Sequence, residues 1–171
     1  SIQPEKLFWE DLSIEEKGWN DYFDLVFASM SPAIHDADSL EKLIAATNKY
    51  GFFSAHLHRK FEIWTALNQA LGRTVNTKMH GHRAFYIMNI LWLKDIYPVV
   101  EYSTVSTVRS FSTEELKQKY VEQLEQTKPL TNQEKQMVED FFEEREQEGT
   151  IQEETNTLNV WLLFDVSENM G

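Results

Sequence analysis

RAFYIMNILWLKDIY, residues 83–97, decides how the rest of this chain reads. Eleven of its fifteen residues are apolar or aromatic, from Ala84 and Phe85 through Trp92 and Leu93 to Ile96 and Tyr97. At helical pitch they cover nearly the whole circumference, the pattern of a helix surrounded by protein. The run is shorter than the ~20 residues a membrane span needs, and Arg83, Lys94 and Asp95 interrupt it. Pro98 stops it, because proline lacks an N–H and disfavours helical geometry in the residue before it. The expectation is a mainly α fold: one domain over residues 1–171, a helical bundle (13–97) packed around the central helix 83–97.

Upstream, the apolar residues recur at helical steps. Ser13 and Glu16 have the spacing of a capping box. They predict a helix over about 14–30, with Trp19, Tyr22, Phe23, Val26, Phe27 and Met30 inward. Ser31-Pro32 ends it. A second helix is expected at 39–50, capped by Asp38 or Ser39 and ended by Gly51. A third is expected at 53–71, on the stripe Phe53, Leu57, Phe61, Trp64, Leu67 and Leu71.

Downstream of Pro98 the composition changes. VVEYSTVSTVRSF is rich in β-branched residues, and Leu158, Val160, Leu162, Phe164 and Val166 alternate in TLNVWLLFDV. A small two-stranded β element pairing 99–109 with 157–166 satisfies both segments' backbones. Between them lies a helical hairpin, 113–127 and 132–148, with capping pairs Ser112/Glu115 and Thr131/Glu134.

Hydrophobic residues make up 42% of the 171 and aromatics 13%, enough to fold rather than stay disordered. Net charge is −12 and the sequence pI about 4.8. A chain so acidic is repelled by phosphate, which argues against direct nucleic-acid or anionic-membrane binding. There is no cysteine, so disulfides, thiolate metal ligands and cysteine nucleophiles drop out. With no signal-like start in SIQPEKLFWEDL, this predicts a cytoplasmic protein.

Metal chemistry rests on the histidines. His56/His58 and His80/His82 form two H-x-H pairs. On a helix, i and i+2 diverge, so the first pair cannot chelate together there; in a loop the second can. If 53–71 is helical, His58 and Glu62 share a face, and His80, His82, His58 and Glu62 form a conceivable site. Surface and loop histidines need no metal, and no metal or cofactor is expected. No glycine-rich phosphate loop and no G-x-S-x-G elbow is present.

Charge is the more informative feature. Residues 113–154 hold 13 acidic and 5 basic side chains, eight of the twelve excess negatives. On the last helix Glu139, Glu143 and Glu146 make one row and Asp140 and Glu144 another, with Phe141 and Phe142 between. Such a face suits a basic protein partner, with aromatics as anchors and carboxylates steering approach. Carried further, the rows could mimic DNA phosphates. The expected function is therefore a non-enzymatic interaction module, such as an inhibitor, immunity or accessory factor. The alternatives are a metal-dependent hydrolase using the histidines, and a structural subunit of a larger assembly whose aromatic surplus is interface.

Overall fold

The computed structural model describes residues 5–74 and 82–167. The chain is mixed α/β, with a four-stranded sheet, and not a mainly α helical bundle. Its elements run β1 (Phe23–Ser29), α1 (Ala37–Ala46), β2 (Thr47–Phe61), α2 (Glu62–Ala70), α3 (His82–Leu93), β3 (Val99–Ser112), α4 (Thr113–Thr127), α5 (Asn132–Glu143) and β4 (Thr150–Asp165). The strand order is β1-β2-β4-β3. β1 and β2 are parallel and joined through α1, with Phe27 opposite Phe52 and Ser29 opposite Ser54. The Val166 N–H reaches the Lys49 carbonyl, and His56 bonds Asn159, so β4 runs antiparallel to β2. Ser106 bonding Glu154 and the Thr113 N–H meeting the Gly149 carbonyl make β3 antiparallel to β4 as well.

Two of the expected helices give way to strand, β1 within 14–30 and β2 over the first half of 53–71, whose second half is α2, for one physical reason. The stripe Phe53, Leu57, Phe61 has a step of four, which is also every second inward position of a strand. The position between, Ala55, is buried beside Phe53, so period two is the one the fold uses. In the same way Leu25 and Phe27 alternate with Val26 and Ala28 in β1. A strand of a parallel sheet reads as a continuous apolar run, which helix periodicity also accepts. Asp21 and Met30, both at positive φ, bracket β1. Gly51 lies inside β2 rather than at a helix end: a Cβ there would run into the Phe164 ring.

The helices that remain are shorter or capped differently. The cap of α1 is Asp36, whose carboxylate accepts from the Ser39 N–H at 2.8 Å. Ser112 and Thr131 cap α4 and α5 as their spacing predicts, but α5 stops at Glu143. The expected strand pair exists as neighbours β3 and β4, within the larger sheet.

Helix α3 departs most from expectation. It forms and ends before Pro98, with Asp95 at positive φ and the Ile96 N–H returning to the Leu91 carbonyl. It is not surrounded, however. Ala84, Ile87 and Leu91 are buried, whereas Phe85, Tyr86, Trp92 and Leu93 are exposed, Leu93 at 84%.

The described chain divides into two compact units. Unit 1 takes residues 5–58, 82–103 and 158–167, and unit 2 takes 59–74 and 104–157. Each has its own core. In unit 1, Leu40 and Leu43 of α1, Ile87 and Leu91 of α3, Phe53, and Val160, Leu162 and Phe164 pack together. In unit 2, Leu67, Leu116, Tyr120, Leu124, Val138, Phe141, Phe142 and Ile151 do so.

Candidate functional site

Within unit 1 the strands present two unlike faces. One carries Ala28, Phe53, Ala55, Val160, Leu162 and Phe164 onto α1 and α3. The alternate residues point the other way. There Leu25 is 55% exposed, Phe27 62%, Trp161 43% and Leu163 44%, with Tyr50 and Val99 also open. The Phe27 and Phe52 rings stack at 4.6 Å on the same face. In the β2–β4 register set by His56 and Asn159, Phe52 lies beside Leu163 and Ser54 beside Trp161. The result is a continuous apolar surface across β1, β2 and β4 that no described element covers.

The same unit leaves β1 as the end strand of the sheet. Parallel strands with apolar residues on both faces are ordinarily covered on both faces and flanked by further strands. Alongside β1 is a cavity of about 300 Å³ lined by Trp9, Val26, Ala28, Ile34 and Leu43. Trp9 is held there by its indole N–H to the Ser39 carbonyl. Polar groups gather where β1 ends. The Ser29 and Ser54 hydroxyls are 3.0 Å apart, the Met30 N–H meets the Ser54 hydroxyl, and Arg83 donates to the Ser31 carbonyl.

The residues that sequence reasoning nominated are dispersed. Phe141 and Phe142 belong to the unit 2 core, 5% and 1% exposed, so neither ring is available as an anchor. Glu139, Asp140, Glu143, Glu144 and Glu146 face water. Glu139 pairs with Lys117 at 2.8 Å, Asp140 accepts from Gln136 and Glu144 meets Arg145. Glu143 and Glu146 have no side-chain partner among the described residues.

The histidines change character with the fold. His56 and His58 lie on strand β2, so they point to the same side, the opposite of the helical expectation. His56 Nδ1 lies 2.7 Å from Asn159 Oδ1. Glu62 sits beyond the strand, at the first position of α2, and does not share a helix face with His58. Its carboxylate is held by Lys60 at 2.7 Å and Asn156, and Lys60 above all keeps it below the ordinary carboxylate range. His82 opens α3, and His80 lies outside the described residues. Among the described residues no three His, Cys, Asp or Glu side chains gather where a metal ion could be held.

One buried ionisable pair escaped sequence reasoning. Glu153 of β4 is 2% exposed. It accepts from the Tyr120 hydroxyl and from the Ile63 N–H at the start of α2. Burial raises the Glu153 carboxyl, although Tyr120, Ile63 and Lys119 pull the other way. Burial first, then the carboxylate beside it, pushes the Tyr120 phenol up. The pair joins β4 to α2 and α4 inside unit 2.

Trp161, Leu163, Leu25 and Phe27 were also missed, and a signal for them exists. VWLLF (160–164) and LVFA (25–28) are apolar in both alternating registers, so each presents apolar side chains on both faces of its strand.

No helix among the described residues is long and apolar enough to cross a membrane. No family model matches the chain, and no curated protein does. Among solved structures it is similar to a protein of Bacillus halodurans C-125 provisionally described as a methyltransferase, at 8% identity with a TM-score of 0.34. The match covers 85% of this chain and 65% of that one, so the chain spans about two thirds of the neighbour's length.

Proposed function

We propose that this chain is a structural component of a larger α/β assembly, and that the open sheet face of unit 1 is its docking surface. The observation that carries the reading is the run Leu25, Phe27, Tyr50, Trp161 and Leu163, all exposed and contiguous by register. Apolar patches of this extent on a folded protein mark interaction sites. The complementary element lays apolar helices on that face and places a strand beside β1. Covering both faces is the arrangement that parallel strands such as β1 and β2 ordinarily have. The cysteine-free sequence suits a cytoplasmic setting for such an assembly.

A photo-crosslinking residue placed at Phe27 or Trp161, in the native host, tests this. The expected result is that both positions capture the same protein, and that Leu163→Glu abolishes capture. Capture by neither position, or capture unaffected by Leu163→Glu, refutes it.

A second reading keeps the acidic α5 surface as a contact for a basic protein. It is favoured by Glu143 and Glu146, which are exposed and make no ion pair among the described residues. Changing Glu139, Glu143 and Glu144 to Gln should weaken such a contact and reduce its salt dependence.

A further inference from the structure

We propose that two copies of this chain pair edge to edge along β3, antiparallel, about a two-fold axis passing beside Val105. This surface is separate from the face discussed above, and either proposal can fail without the other.

β3 is one continuous strand of fourteen residues, Val99–Ser112, and it ends the sheet at the side opposite β1. Its outer backbone groups have no strand partner among the described residues. Proteins ordinarily protect such an edge with charged side chains, above all lysine, with proline or with a very short strand. β3 contains neither residue, is long, and exposes Tyr102, Val105 and Val108. That is a template for strand addition, and the question is what strand fits.

The charges on β3 answer it. The strand carries two, Glu101 and Arg109. Both are exposed, and neither side chain has a hydrogen bond or ion pair among the described residues. They lie four residues either side of Val105. In a symmetric antiparallel pair centred on Val105, each residue faces the copy whose number sums with its own to 210. Glu101 then stands opposite the copy's Arg109, and Arg109 opposite the copy's Glu101. Both point to one side of the sheet, as directly opposed residues must. Tyr102 meets Val108, Ser103 meets Thr107, and Val105 meets its own copy. These pairs are compatible: opposite charges, aromatic with β-branched, hydroxyl with hydroxyl. Moving the centre by one residue leaves both charges facing uncharged side chains. The strand is therefore complementary to itself in one register, the condition for an isologous contact.

The absence of native cysteine makes the test clean. Directly opposed Cβ atoms lie about 4.5–5.5 Å apart. Val105→Cys should therefore give a disulfide-linked dimer under copper–phenanthroline, and Thr107→Cys much less. By sedimentation equilibrium at low salt, the unmodified chain should dimerise. Glu101→Arg or Arg109→Glu alone should weaken it by about tenfold, since attraction becomes repulsion at two symmetric positions. The double exchange should restore it, with far-ultraviolet circular dichroism showing that each variant is folded. A chain that stays monomeric overturns the proposal. So does a dimer indifferent to single reversals or not rescued by the double exchange, or one that cross-links through residue 107 as readily as through 105.

Discussion

The two units invite comparison because they treat their apolar residues in opposite ways. All but two of the large apolar side chains found exposed, Val105 and Val108, belong to unit 1. Unit 2 leaves almost nothing apolar in water. Helix α5 makes the point against α3. α5 has three fully buried apolar residues, Val138, Phe141 and Phe142, and gives nearly all the rest of its surface to charge and amide. α3 is apolar nearly all round and also buries three residues, Ala84, Ile87 and Leu91. The number buried is the same, and the surplus in α3 stays outside. Apolar content thus measures what a chain could bury, and unit 1 has more than its own elements can cover.

The largest expected effect follows from that contrast. Phe142→Ala should cost about 3–5 kcal/mol in urea denaturation, as a cavity in a closed core does. Trp161→Ala, removing a larger ring from the open sheet face, should cost under about 1 kcal/mol. Equal losses would mean that the face is covered within the chain itself, and the contrast between the units would break.

Gly51→Ala should come next. The Phe164 ring occupies the place of the new methyl, and overpacking a filled core costs about 1–3 kcal/mol. A neutral result would show that the covered side of the unit 1 sheet is looser than its burial indicates.

Tyr120→Phe should cost about 1–3 kcal/mol by depriving the buried Glu153 carboxyl of a donor. Two carboxyls of unit 2 should also set opposite trends with pH. Glu134 is held down to about 2 by the Thr131 N–H, then by Arg73 and the Thr131 hydroxyl. Its stabilisation is present above its ordinary value of 4.5 and is lost as pH falls towards the folded value. Glu153 is raised, so its protonated form is favoured in the fold. Stability from this group is full below 4.5 and declines as pH rises through the elevated value. Denaturation of Glu134→Gln and Glu153→Gln between pH 2 and 8 should remove one trend each. A pH profile unchanged in both would show that neither is coupled to folding.

The smallest effect should be at the acidic row. Changing Glu139, Glu143 and Glu144 to Gln should shift stability by about 0.5 kcal/mol or less, because exposed pairs such as Glu139 with Lys117 contribute little. A large loss would mean that unit 2 depends on its surface charge.

Which parts of this were legible in the sequence has a physical explanation. The α4–α5 hairpin was, because Ser112 and Thr131 cap their helices locally and each stripe is narrow enough to admit one period. β3 and β4 were, because β-branched composition and alternation agree there. β1 and β2 were not. Their apolar residues satisfy a step of four and a step of two alike, and the choice is made by a neighbour far along the chain, as when Phe164 closes over Gly51. The site suffered the same ambiguity. The apolar circumference of α3 fits a surrounded bundle helix as well as a helix with one buried face, so periodicity alone does not reveal an open sheet face.

The central claim is that the unit 1 sheet face is open in the isolated chain and covered in its working assembly. Hydroxyl-radical footprinting of Trp161 and Phe27, on the purified chain and inside the native host, measures this directly. The account predicts strong labelling of both in isolation and at least a severalfold protection of both in the cell. Equal labelling in the two settings would contradict it.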